Sequence, residues 1–309
     1  MKIAIFGSGG VGGYFGGRLA LAGQDVTFIA RGAHLAAVTE SGLRVDSIGG
    51  DFVVNPAKAT DSPQSIGPVD LVILATKAWQ LDSAIKQMKP LMGDATMILP
   101  LLNGMEHMDT LLSAFDRKNI LGGLCRISVF VAEPGHIRHV GVPPFIAFGE
   151  LDNSKSRRVN SLLEMFGALN DITVDVPNDI HVAMWEKFIF ISGTSGVGAF
   201  AGQTIGQFRA NPETRSMLFN TMNETAAVAR ARGVALSERF VSDTMMRIDT
   251  IQPHIIASMQ KDIMEGRPSE LNEQTGAVIR MGRAVGIPTP THEVIYAKLL
   301  PLENKARGL

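Results

Sequence analysis

The residues best suited to chemistry are a lysine, a glutamate and a few hydroxyl and amide side chains. Lys187 lies in "DIHVAMWEKFIFISG", a cation inside an otherwise apolar helical pattern, followed by Phe188, Ile189, Phe190 and Ile191. A buried ammonium is costly unless a partner or ligand takes up its charge. Desolvation also favours the neutral amine, which makes such a lysine a ready proton donor near neutral pH. The alternative is a snorkelling lysine whose stem packs while its ammonium reaches water. Glu270, in "RPSELNEQ", opens a later helical stretch, where it either orients a partner or complements the helix dipole. Ser258, in "ASMQKDIMEG", adds a hydroxyl near the end of the preceding helix. Lys77, after "LVILAT", and Asn103, in "LLNGM", stand where apolar runs give way to loops. Ordinary turn chemistry also accounts for both, because Asn-Gly is a common turn pair and a lysine can simply mark a strand meeting water.

A second constellation lies at the other end of the chain. "FGSGGVGGYFGG" places Gly7, Gly9 and Gly12 in a G-x-G-x-x-G spacing, after a strand and at the start of a helix. In that setting Gly7, Ser8, Gly9, Gly10, Val11 and Gly12 cradle a pyrophosphate, with helix N–H groups and dipole facing the anion. A purely structural turn is the competing account. The next strand ends Ile29-Ala30-Arg31, and Arg31 lies nineteen residues beyond Gly12. An acid at that point would hold a ribose 2′-hydroxyl. An arginine instead suits a 2′-phosphate, so NADPH is expected over NADH unless Arg31 is merely solvated.

Positioning these residues requires particular elements. "KIAIF", a helix from Val11 to Ala22, "DVTFIA", a helix near Ala33 to Ser41, "VDLVILAT", a helix near Gln80 to Met88 and "TMILPLL" alternate in βαβ fashion. This predicts an α/β Rossmann-type doubly wound sheet with ligands at the carboxyl ends of its strands. "GHIRHVGVPPFIAFGEL" is expected as a hairpin and edge strand completing that sheet. Beyond Pro177 the pattern becomes helical. Asn211-Pro212 opens a helix reaching Gly233, Ser237 opens the next, and another ends at Gly266. One then runs from about Glu270 to Gly286, and the last begins near Thr291. The expected domains are residues 1–177, binding the dinucleotide, and 178–309, an all-α domain for substrate and dimerisation, with a cleft between.

Composition narrows the function. The 309 residues carry a net charge of −1 without a basic stripe, which argues against nucleic acid or an anionic membrane as partner and for a small molecule. Cys125 is the only cysteine and no Cys/His cluster has zinc-ligand spacing, so a reducing, cytoplasmic setting and no structural metal are expected. The apolar runs are far short of a bilayer span, and "MKIAIF" is expected as the first strand of the mature fold. Methionines in "SMLFNTMNE" and "TMMRI" mark a candidate homodimer face, although methionine at helical spacing is also ordinary core.

Taken in order, "GSGGVGGYFGGRLALAG", Arg31, "TKAWQ", "NGM", "WEK", "SMQKD", "SEL" and "AVGIPTPTHEVIYAKL" resemble the ketopantoate reductase (2-dehydropantoate 2-reductase) family over nearly the whole chain. The resemblance implies a Rossmann domain, a helical domain, and NADPH-dependent reduction of a 2-keto acid between them, in pantothenate (coenzyme A precursor) biosynthesis. It implies Lys187 as general acid and Glu270 as the acid orienting a substrate hydroxyl. Ser258 then hydrogen-bonds substrate, while Lys77 and Asn103 serve the cofactor and substrate sides. Where the family often has asparagines, four and eight residues past the lysine and at one further site, this chain has Ile191, Ser195 and Ile205. Ser195 is thus a substrate-side candidate in a less polar pocket, and a less polar 2-keto acid is an alternative substrate. A related hydroxy-acid dehydrogenase and a non-catalytic NADPH-binding sensor are the rival expectations.

Overall fold

The computed structural model describes residues 1–309 and divides into two compact units. The first comprises Met1–Leu102 and His107–Ile180. The second comprises Asn103–Glu106 and His181–Leu309, so a short segment of the N-terminal sequence packs with the helical unit.

In the first unit, β1 (Lys2–Phe6), α1 (Gly10–Leu21), β2 (Asp25–Ile29), α2 (Gly32–Ser41), β3 (Leu43–Ser47), β4 (Phe52–Val54) and β5 (Lys58–Thr60) lead to β6 (Leu71–Leu74), α3 (Leu81–Met88) and β7 (Met97–Pro100). Five of these strands form a wholly parallel sheet in the order β5-β2-β1-β6-β7, with Ile5 beside both Phe28 and Ile73. Almost every residue of β1, β6 and β7 is buried, as continuous apolar runs require when both faces of a sheet are covered. Tyr14, Phe15 and Leu19 of α1 are fully buried and belong to the same core as Ile3 and Ile5.

The late strands do not complete this sheet. After α4 (Glu106–Ala114) come β8 (Leu121–Arg126), β9 (Val129–Glu133), β10 (His136–His139), β11 (Phe145–Glu150), α5 (Arg157–Gly167) and β12 (Thr173–Asp175). They build two further sheets, β4-β3-β10-β9 and β12-β11-β8. Their residues signal strand formation, but pairing is a tertiary choice: β10 takes β3 as a parallel partner, and β11 pairs antiparallel with β8, Ile146 beside Cys125.

The second unit is helical: α6 (Ile180–Ala201), α7 (Ile205–Ala210), α8 (Pro212–Ala231), α9 (Phe240–Thr250), α10 (Ser258–Met264), α11 (Ala277–Val285) and α12 (Pro290–Arg307). A π-helical turn over Asn272–Gly276 feeds α11. α6 is apolar around most of its circumference, burying Met184, Trp185, Phe188, Ile189 and Val197, the pattern of a central helix. Asn211 caps α8 by accepting from the Glu213 N–H at 2.9 Å, with Pro212 in the first turn. Two boundaries differ from expectation. Ser237 sits in the turn before α9, its hydroxyl accepting from the Arg239 N–H. Ser258 is the first residue of α10, because the chain from Ile251 to Ala257 is extended or turned instead of helical. No helix is long and apolar enough to cross a membrane.

Candidate functional site

In the first unit the order β5-β2-β1-β6-β7 reverses direction between β1 and β6, the point at which open α/β sheets leave a crevice for ligands. The glycine turn follows β1 at that point. Gly7 has φ +97°, and a Cβ there would lie 2.7 Å from the Thr76 nitrogen, so the turn and the chain leaving β6 approach too closely for any side chain. A Cβ on Gly12 would fall 2.1 Å from the Gly7 carbonyl oxygen, which seats α1 tightly against β1. Gly9, by contrast, opens on empty space. The first i to i−4 bond of α1 is Gly13 N–H to Gly9 carbonyl, leaving the N–H groups of Gly10, Val11 and Gly12 without helical acceptors. Free helix N–H groups of this kind suit an anion, and the pyrophosphate of a dinucleotide is compatible with them.

Ser8 has a different part from the other turn residues. It is buried, its hydroxyl donates to the Ile29 carbonyl at 3.1 Å, and its carbonyl meets His34 Nε2 at 2.9 Å. The Gly135 N–H donates to His34 Nδ1 at 3.1 Å, so Nε2 carries the proton and donates to Ser8. Burial lowers the His34 pKa and keeps the ring in this neutral form. Ser8 therefore anchors the turn to β2 and α2, while Gly9 beside it stays open. Arg31 is exposed at the N-terminal boundary of α2, and its guanidinium donates to Gln87 Oε1 of α3. Lys77 is exposed three residues past β6, its ammonium 5.5 Å from the Trp79 ring centre.

In the second unit three of the sequence candidates meet. Lys187 Nζ donates to Asn103 Oδ1 at 3.0 Å, and Asn103 Nδ2 donates to Glu270 Oε2 at 3.0 Å. Lys187 is half-buried on α6 instead of sealed in the core, with its charge held by the asparagine. Glu270 is only 3 % exposed. The Asn-Gly pair is indeed a tight turn: Gly104 has φ +98°, and a Cβ there would sit 2.7 Å from the Glu273 carbonyl oxygen. That approach sets the asparagine amide between cation and carboxylate. Ser195 is buried on α6 about two turns beyond Lys187, with Ile191 between them. Ser258 is exposed and takes no part in the hydrogen-bonded chain. Ile205 opens α7 as a buried apolar residue.

Two supporting residues were not anticipated. Gln274 donates from Nε2 to Glu270 Oε2 at 3.3 Å, and the spacing of four residues within a helical pattern was the available signal. Arg280 grips Glu106 through Nε at 3.0 Å and Nη2, and also donates to the Asn272 carbonyl at 2.7 Å, fixing the Asn103–Glu106 segment to the π-turn. The neighbouring Glu273 has its pKa raised, chiefly by burial, and its Oε2 lacks a hydrogen-bond partner.

The family model described as "Ketopantoate reductase PanE/ApbA" matches residues 3–153, and its C-terminal counterpart matches residues 179–303. The chain belongs to the ketopantoate reductase family. NADPH is the reductant of that family. Among its relatives, a 2-dehydropantoate 2-reductase of Mesorhizobium japonicum is 32% identical, covering 96% of both chains. An uncharacterized oxidoreductase, YkpB, of Bacillus subtilis is 30% identical over 97% of this chain and 98% of its own. A crystal structure of a PanE/ApbA family ketopantoate reductase from Ralstonia eutropha superposes with a TM-score of 0.89 at 30% identity, covering 99% of this chain and 100% of that one.

Proposed function

We propose that this ketopantoate reductase family member uses NADPH to reduce a 2-keto acid to the 2-hydroxy acid, with 2-dehydropantoate as substrate and pantoate as product. The observation that carries the assignment of roles is the Lys187–Asn103–Glu270 chain, with both links at 3.0 Å. NADPH supplies the hydride that reaches the carbonyl carbon. As the C=O π bond opens, its electron pair moves to oxygen, and the Lys187 ammonium opposes that charge and then gives the oxygen a proton. Asn103 occupies one of the three ammonium donors and leaves the others for the substrate. Glu270 accepts from Asn103 and Gln274 through Oε2, leaving Oε1 for a substrate hydroxyl. Ser195 lines the substrate side from α6. Gly7, Gly9, Gly10, Val11 and Gly12 receive the pyrophosphate, Arg31 the 2′-phosphate, and Lys77 stands on the cofactor side. Residues 1–177 thus serve the cofactor, and residues 178–309, joined by Asn103, serve the substrate.

A second substrate reading rests on Ile191, an apolar residue one turn from Lys187: a 2-keto acid with a bulkier, less hydroxylated side chain. NADPH oxidation with 2-dehydropantoate beside a panel of branched and aromatic 2-keto acids separates the two. The highest kcat/KM on 2-dehydropantoate is the expected outcome; a preference of about a hundredfold for an aryl or alkyl keto acid, the scale on which apolar pocket contacts discriminate, transfers the assignment to that class. Turnover of none of them leaves the family's chemistry unsupported here. The same proposal places the reaction in the cytoplasm and pairs two chains through apolar side chains left exposed on α8 and α9, such as Phe219 and Met246. A monomer by light scattering at micromolar concentration removes the pairing alone.

A further inference from the structure

The carboxylate of Glu270 is preceded by a residue whose every polar group is held from one distant helix. Ser269 is fully buried, and its backbone N–H lies 3.1 Å from both carboxylate oxygens of Glu303 on α12. The Ser269 hydroxyl donates to Glu303 Oε2 at 2.5 Å and accepts from the Leu271 N–H at 3.2 Å. Arg307, one turn beyond Glu303, donates from Nε to Glu303 Oε1 at 2.5 Å and from Nη2 to the Ser269 carbonyl at 2.9 Å. The Glu303 side chain is wholly buried.

A buried ion pair is an expensive way to hold a helix end, because desolvation offsets most of the attraction and apolar residues of similar volume pack as well. What apolar residues lack is direction. The Glu303 and Arg307 fork binds both peptide groups flanking the Ser269 Cα and its side chain, which leaves that residue's backbone no alternative conformation. The next residue is Glu270, and the π-turn that brings Gln274 to its carboxylate begins two residues further on. A functional carboxylate has to be held within about 0.5 Å of its productive place, and that precision comes from supporting hydrogen bonds.

We infer that Glu303 and Arg307 are positioning residues for catalysis, acting through Ser269 to set the Glu270 carboxylate against Asn103 and Lys187. The inference rests on the proposed role of Glu270. Its test is a pair of double-mutant cycles on purified full-length protein, Ser269→Ala with Glu270→Gln and Arg307→Lys with Glu270→Gln, reading kcat, KM and melting temperature. Arg307→Lys keeps the charge, loses the fork and lies at the edge of the core, so one cycle survives if the other variant does not fold. Each first-named substitution should lower kcat/KM about tenfold in the wild-type background and less than about twofold once Glu270 is glutamine, since residues acting as a unit are non-additive. Losses that add in full, or a fall in melting temperature with kcat/KM unchanged, overturn the inference and leave Glu270 in its role. A Glu270→Gln enzyme with wild-type kcat/KM removes that role and the inference together. Glu224→Gln is the structural control. The Glu224 carboxylate accepts from His292 and the Thr291 N–H at the start of α12, so its substitution should lower the melting temperature and combine additively with Glu270→Gln.

Discussion

Lys187 is a cation whose usefulness depends on one amide. An isolated lysine on an apolar helix would turn its ammonium to water, but Asn103 Oδ1 at 3.0 Å gives it a fixed partner and hence a fixed direction. Removing a positioned donor to a developing oxyanion costs roughly 3–4 kcal/mol of barrier, so Lys187→Ala should lower kcat by about a hundredfold or more. Single-turnover rates are the cleanest measure, and a rate near wild type would falsify the acid role. Arg31 is the residue proposed for the 2′-phosphate. Its guanidinium is already oriented by Gln87, and hydrogen bonds to a charged group contribute about 1.5–3 kcal/mol, so Arg31→Ala should raise the KM for NADPH roughly ten- to hundredfold. The KM for NADH should barely move. Equal losses for both nucleotides would mean that Arg31 does not distinguish the 2′-phosphate.

The π-turn over Asn272–Gly276 is the element on which the site depends most. Single π-helical turns widen the backbone and recur at functional sites, and here the turn presents Gln274 to Glu270 and the Glu273 carbonyl to Gly104. It also leaves the Glu273 carboxyl buried with Glu270 and Glu303 near it, opposed by a hydrogen bond from its own backbone N–H and by the charges of Arg307 and Arg280. Burial first, and these carboxylates second, push its pKa up. The folded state therefore favours the protonated form. The corresponding stability is present below the ordinary glutamate value of 4.5 and is lost as pH rises through the raised one. Ionising Glu273 in the folded state therefore costs stability as the pH rises, so Glu273→Gln should melt higher than wild type at neutral pH, the difference closing as the pH falls toward about 4.5. Thermal denaturation across that range decides it; a variant less stable than wild type at neutral pH would show the carboxylate to be usefully paired.

For the whole molecule, the two compact units differ in construction. The first has a large apolar core under three sheets and a glycine turn that is already formed, so a nucleotide bound there would add interactions without requiring the turn to be built. Binding to the native state alone adds RT ln(1 + [L]/Kd), about 2.7 kcal/mol at a hundredfold excess over Kd. For a unit of this size that corresponds to a rise of roughly 5–10 °C in the transition of the nucleotide-binding unit. NADPH should produce this shift, and NADH at equal concentration a smaller one. The absence of any NADPH shift by calorimetry would remove the cradle from the functional account.

Much of this was legible in the linear chain because it is local chemistry. The run Gly7 to Gly12 between a strand and a helix, the apolar runs Ile3 to Phe6 in β1 and Leu71 to Leu74 in β6, and the Asn211-Pro212 cap each constrain their own backbone through sterics or hydrogen bonding within a few residues. They determine a Rossmann-type unit followed by helices whatever the rest of the chain does. Lys187, Asn103 and Glu270 could be named as reactive types, but not joined. They lie 84 and 167 residues apart, and only folding carries Asn103 onto the helical unit to bridge them. The same holds for the inward turn of Ser8, the separate sheets of β10 and β11, the exclusion of Ser258 from the network, and the Glu303 clamp. A residue type announces what bonds a side chain is able to make. Which partner it meets is settled by burial, where an unmade bond costs about 1–3 kcal/mol and the chain settles on the pairing that leaves fewest unmade.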